Sequence, residues 1–266
     1  MRGLRKIQLA ISILVLIIIP MASLTAPVRA SGGTIFRAPA PLGKALILSS
    51  LNKEFPLGYY ETYIALRLSQ IGYTTTFVTD GNVTVDFLVN QLNNYNIVIW
   101  RTDIYTWNHV EYFYVGESVN AATELKYAAD FSQGWINANA GILGITTNFI
   151  QEHFTNNSLS NVQLMIIEGS NTMDIGPLFV SAGVQSVIYC NGLINLDFGL
   201  MDDLTANLID YLCSGETVYN AVFNSVNYLN NQNGSDQDQL RSNIDDAYTP
   251  PFWFSGSSSL TIVSAT

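Results

Sequence analysis

The chain of 266 residues is poor in the side chains that metal and thiol chemistry need: it holds two histidines, His109 and His153, and two cysteines, Cys190 and Cys213. Two imidazoles exclude a three-histidine metal centre, and the cysteine spacing forms no metal knuckle. Charge is scarce as well. Asp, Glu, Lys and Arg make up 12% of the chain, with 11 basic against 21 acidic residues. Arg2, Arg5, Lys6 and Arg29 all precede residue 31, where no acidic residue stands, so the remainder carries seven basic against 21 acidic residues, a balance of −14. The concentrated positive patch that a phosphate backbone requires is missing, which excludes nucleic acid as a partner.

The first thirty residues are built differently. A basic start, the apolar run Ile7 to Ile19 and the small-residue stretch Ala26-Pro27-Val28-Arg29-Ala30 follow the pattern of a secretory signal peptide over 1–30. If that segment stays uncleaved, its length makes it an anchor, the one expected route to a membrane. Either way the rest is expected outside the cytoplasm, extracellular or at the cell surface. Residues 31–43 read as an extended leader, and 44–266 as one α/β domain, large enough to bury a substantial core. Asn82, Asn156 and Asn233 begin N-x-Ser/Thr triplets, surface positions if the protein is glycosylated.

Along the domain, short apolar runs alternate with amphipathic stretches. Lys44 to Ser50, Thr74 to Val78 and Asn96 to Trp100 read as strands, with helices over Tyr59 to Ile71 and Val83 to Leu92 between them. The middle has strand composition at His109 to Tyr114 and a helix-like pattern over Leu125 to Ala138; Gly141 to Thr146 then precedes a short amphipathic piece, Asn148 to Phe154. Strands at Val162 to Ile167 and Ser186 to Tyr189 follow, with helices over Asp174 to Ala182, Leu200 to Leu212 and Thr217 to Leu229. Asn230 to Asp246 is polar and reads as a loop; Phe252 to Phe254 and Leu260 to Val263 suggest a final hairpin or edge strand. The expectation is an α/β fold with a mostly parallel, doubly wound sheet and helices on both faces.

Functional groups of such a sheet gather beyond the carboxyl ends of its strands. Ser50, Asp80, Asp103, Ser170 and Cys190 to Gly192 occupy those ends. Ser170, in "EGSNTM", lacks the Gly-x-Ser-x-Gly elbow, and Ser170, Asn171 or Thr172 can cap a helix near Asp174. Asp103 can pair with Arg101 or cap a turn. His109 is a candidate acid/base group or a structural residue, and Cys190 a buried apolar one. A Cys190–Cys213 disulfide is excluded, because the intervening helix runs back along the sheet for about 20 Å, against the ~6 Å a disulfide spans.

The segments "YNIVIWRTDIYTWNHVEYFYVGE" and "NVQLMIIEGSNTMDIGPLFVSAGVQSVIYCNGLINLDFGLMDDLTANLIDYLCSGETVYNAV" resemble, in order and spacing, the caspase-like clan of cysteine peptidases, nearest its gingipain-like and archaeal secreted branches. Members have an apolar strand ending in a catalytic His. A later strand ends in Gly-Cys and is followed by a helix, "GA", a strand ending near "WNG", and a last helix. The likeness runs from about Lys44 to Leu229. It implies the caspase-haemoglobinase fold, with Gly169 on the family glycine, Ser170 on the nucleophilic Cys and Asp103 on the His. Gly183 falls on the "GA" glycine, Asn191 and Gly192 on "NG", and Cys190 on a Trp beside the substrate pocket. The scaffold matches and both catalytic positions depart.

A serine hydroxyl needs a base to become a nucleophile, and a carboxylate with a reference pKa of about 4 is a poor proton donor at neutral pH. The resemblance therefore implies a pseudo-peptidase, without metal or cofactor, that binds a peptide or protein in a cleft lined by Asp103, Gly169, Ser170, Cys190, Asn191 and Gly192. Two alternatives stand beside it: an active peptidase in which His109 serves Ser170 or Cys190, and a structural or surface-assembly component using the aromatic tail around Trp253.

Overall fold

A computed structural model describes residues 41–56, 58–155, 157–190, 198–231 and 252–263. The Asn156 and Asn233 triplets, the signal and leader segments up to residue 40, and the polar stretch 232–246 lie outside the described residues in whole or in part. Among the described residues no helix is long and apolar enough to cross a membrane.

Six strands form the main sheet: β1 (Gly43–Ser49), β2 (Tyr73–Thr79), β3 (Ile97–Arg101), β8 (Leu164–Glu168), β9 (Ser186–Cys190) and β10 (Phe252–Gly256), in the spatial order β10-β9-β8-β3-β1-β2. All neighbours are parallel except β10, which runs antiparallel to β9 at the edge. The continuous apolar runs foreseen in the sequence arise because both faces of this sheet are covered. In β1, Leu46 and Leu48 face one core cluster while Ala45 and Ile47 face the other. The second face is covered by α1 (Tyr59–Gln70), α7 (Phe198–Cys213) and α8 (Val218–Asn231), the first by α2 (Val85–Gln91), α5 (Thr147–His153) and α6 (Gly176–Ser181). Tyr60, Ile64 and Leu68 form the buried stripe of α1. Each aliphatic side chain so buried contributes roughly 1.5–3 kcal/mol.

Between β3 and β8 the chain departs from simple alternation. A second sheet, four antiparallel strands in the order β4-β5-β7-β6, is built from β4 (Ile104–Trp107), β5 (Val110–Ser118), β6 (Ile136–Asn139) and β7 (Ile142–Ile145). The helix expected over Leu125 to Ala138 is therefore corrected. It splits into α3 (Ala121–Lys126), started by an Asn120–Thr123 capping box, and α4 (Ala128–Gln133), which stops at left-handed Gly134 and gives way to β6. Gly134 can take that conformation at no steric cost, and the glycine is the local signal that the helical reading passed over.

His109 does not begin a strand. It is the second residue of a two-residue turn between β4 and β5, with Asn108 and His109 both at positive φ (50° and 64°), the backbone a tight hairpin demands. At the other end of the domain, β10 is the expected edge strand. The stretch after it is not a strand but packs down, with Ile262 buried and its carbonyl accepting from the Tyr73 hydroxyl.

Candidate functional site

The site forms where β3 and β8 end side by side. Arg101 stands opposite Glu168, and the Thr102 N–H extends the ladder one step further by donating to the Glu168 carbonyl at 2.8 Å. The next residue on β8 must be small: a Cβ on Gly169, at φ 153°, would lie 2.3 Å from the Thr102 carbonyl oxygen. The close approach carries Ser170 onto Asp103. The Ser170 hydroxyl and N–H and the Ile104 N–H lie beside the Asp103 carboxyl and draw its pKa down. Its Oδ1 is buried with no hydrogen-bond partner, and burial raises the carboxyl above its ordinary range against the pull of those three donors. Asp103 and Ser170 are 8% and 7% exposed, so this contact sits just under the surface.

The turn is pinned on its other sides as well. Asn171, in a left-handed conformation, donates to Glu111 Oε1 of β5 at 2.8 Å. Thr172 Oγ1 accepts from the Cys190 N–H at 2.8 Å, tying the turn to β9. The capping role expected of these residues is corrected accordingly. The short 3₁₀ turn Thr172–Asp174 and then α6 start from Asn171 and Ile175 without a side-chain cap, because the polar side chains are spent on neighbouring strands. Gly169→Ala is expected to cost about 2–4 kcal/mol in urea unfolding, since the new methyl meets backbone rather than a movable side chain. A loss below about 0.5 kcal/mol would mean that β3 and β8 separate easily there.

Beneath the turn, on the side of the sheet covered by α1 and α7, lies a buried polar cluster. Arg101 forms a bidentate ion pair with Asp202 of α7, Nε to Oδ1 at 2.8 Å and Nη2 to Oδ2 at 3.0 Å, and donates from Nη1 to the Phe55 carbonyl at 2.6 Å. The Arg101–Asp103 pairing considered from sequence is thus corrected: the guanidinium is turned to Asp202 of α7. Glu168 is fully buried, accepts from the Tyr60 hydroxyl of α1, and leaves Oε2 without a hydrogen bond, with Thr205 of α7 beside it. Burial first, and then the Asp202 charge, push the Glu168 carboxyl up to about 8, while the Tyr60 hydroxyl and Arg101 pull the other way.

Cys190 does not line the cleft. It is fully buried in the core on the α1/α7 side, its Sγ is 3.7 Å from the Ile167 carbonyl, and burial pushes the thiol up to about 12. A thiol in that state is inert near neutral pH. His109 is exposed at the hairpin tip of the second sheet, whose core residue Phe113 packs on the opposite face, so a His109–Cys190 dyad is ruled out. Cys190 and Cys213 are both free. Ser50 and Asp80 have structural partners: Ser50 Oγ accepts from the Trp100 indole at 3.1 Å, and Asp80 Oδ1 from the Lys53 N–H at 2.8 Å. Gly183 turns at φ 110° against the 157–160 segment. Asn191 and Gly192 lie outside the described residues.

No family model and no curated protein matches this chain. The structure brings together Asp103, Gly169 and Ser170; it adds Tyr60, Arg101, Glu168, Asp202 and Glu111, which sequence reasoning did not assign to the site. Arg101 and Glu168 did leave a signal, each a charged residue closing an apolar strand. Among the described residues no group of three or more His, Cys, Asp or Glu is placed to hold a metal ion.

Proposed function

We propose that the chain is an exported caspase-like peptidase homologue that captures a peptide or protein segment at the carboxyl edge of its sheet without cleaving it. The observation that carries this reading is that the group beside Ser170 is the Asp103 carboxyl and not an imidazole. An attacking hydroxyl needs a base that then returns the proton to the leaving amine, and its neighbourhood needs a free N–H to stabilise the developing oxyanion. Here the Ser170 hydroxyl and the Ser170 N–H both lie beside one carboxylate. A carboxylate is too weak a base to draw the proton from a serine hydroxyl near neutral pH, so the attack that a peptidase needs is not set up. The inert Cys190 removes the thiol that would have allowed a relocated site. What remains suits recognition: a rigid turn held to β3, β5 and β9 by hydrogen bonds, next to strand ends.

A peptide-library assay on the exported form tests this. The native chain is expected to retain peptides without turnover, Ser170→Ala to weaken retention, and Asp103→His with Ser170→Cys to gain hydrolysis. Cleavage by the native chain at a rate comparable to that double variant would overturn the proposal.

A further inference from the structure

The second sheet carries a feature that the Ser170 turn does not use. Register sets Trp107 opposite Val110 and Tyr105 opposite Tyr112, so these side chains leave the same face, while Ile104 and Phe113 point the other way into the core. The Tyr105 ring stacks on Tyr112 at 5.2 Å, and the Tyr114 ring follows 4.8 Å from Tyr105. Gly144 lies directly beneath: a Cβ there would come within 2.6 Å of the Tyr105 ring. The rings thus ride on bare backbone, and the row ends at Trp107, 58% exposed at the hairpin tip. A lone exposed indole is ordinary. This one borders a cleft of about 450 Å³, within the size range of small-ligand sites.

The chemistry of the cleft wall narrows the ligand. Trp107 and Tyr112 supply aromatic surface, and Asn108, Gln133, Asn137 and Asn148 supply amides; no Asp, Glu, Lys, Arg or His lines it, in a chain with 21 acidic residues. The amide-bearing residues Asn108, Gln133 and Asn148 are exposed, and Asn137 uses its Oδ1 to accept the Ala138 N–H at 2.8 Å, leaving its NH₂ for a ligand. A charged ligand would enter with nothing to neutralise it. A purely apolar one would strip water from four amides and return no hydrogen bonds. A neutral sugar meets both conditions, because one face of a pyranose presents C–H bonds that stack on an aromatic ring, while its rim of hydroxyls, each donor and acceptor, matches planar carboxamides with one acceptor and two donors. An extended peptide fits less well, since it binds by adding to a sheet edge and the cleft opens on a sheet face.

We propose that this cleft binds a neutral oligosaccharide, with Trp107 stacked on a sugar ring and the side-chain amides of Asn108, Gln133 and Asn148 bonded to its hydroxyls. The full chain is titrated calorimetrically, and by tryptophan fluorescence, with cellohexaose, mannohexaose and N-acetylchitohexaose, alongside acidic trigalacturonate and an uncharged decapeptide library. At least one neutral oligosaccharide is expected to bind at millimolar or tighter affinity, and Trp107→Ala to weaken it about tenfold or more. Trp107 is exposed, so its truncation should leave thermal unfolding unchanged, which circular dichroism checks. The proposal is overturned if no neutral oligosaccharide binds at tens of millimolar, if Trp107→Ala binds as well as the native chain, or if the peptides rather than the sugars depend on Trp107. Sugar binding is read independently of peptide capture at Ser170, so either proposal can fail alone.

Discussion

Arg101→Met is expected to lower the unfolding free energy by about 3–5 kcal/mol at neutral pH, the usual cost of removing one partner from a buried ion pair. Arg101 is 2% exposed and the Asp202 side chain 12%, so neither charge recovers solvation from water while the fold is intact. Methionine keeps the apolar stem of the side chain and removes the guanidinium, so the Asp202 carboxylate loses the bidentate pair while it stays near Glu168. The Phe55 carbonyl loses a donor as well. The double variant Arg101→Met, Asp202→Leu is expected to recover much of the loss, because an apolar pair of similar volume is often neutral where a half-pair is not. Urea unfolding of the two singles and the double forms the test. A loss under about 1 kcal/mol for Arg101→Met would show that water reaches the pair and that α7 is not held to the sheet by it.

The second large effect is a pH dependence set by Glu168. Its carboxyl titrates near 4.5 when unperturbed and is pushed up to about 8 in the folded chain. Between those values the native state keeps a proton that the unfolded state has released, so the native state binds more protons and stability falls as pH rises. The contribution is complete below about pH 4.5 and is lost as pH climbs through about 8. Each unit of displacement corresponds to about 1.4 kcal/mol, so a loss of several kcal/mol across the window is expected. The raised Asp103 carboxyl acts in the same direction. Glu168→Gln keeps the shape and an acceptor for the Tyr60 hydroxyl but has no proton to lose. Its stability should vary much less than that of the native chain between pH 5 and 8, and exceed it at pH 8. Parallel pH profiles of native chain and variant would contradict this account.

The strands of the main sheet were legible because burial on both faces writes itself as an unbroken apolar run, as in Ala45 to Leu48 or Leu164 to Ile167. Helix α1 was legible for the complementary reason, a stripe at helical spacing closed by Gly72. The second sheet was not. Its strands β6 and β7 are four residues long, too short for alternation to be distinguished from one turn of helix, and Ala128 to Gln133 is helical before Gly134 breaks the pattern. Asn171 and Thr172 looked like helix caps because their side chains suit any free backbone group. Neighbouring strands offered such groups first.

The sequence by itself determined the succession of strands and helices of the main sheet and the α/β class; that Asp103 and Ser170 stand at neighbouring strand ends was an expectation of the resemblance and depends on β3 pairing with β8. Only the tertiary structure decided what those residues do. Tyr60 and Glu168 stand 108 positions apart, and Arg101 and Asp202 stand 101 apart. Their meeting depends on which face each strand turns to each helix, a choice of side-chain parity made by the packing of whole elements and by no local pattern.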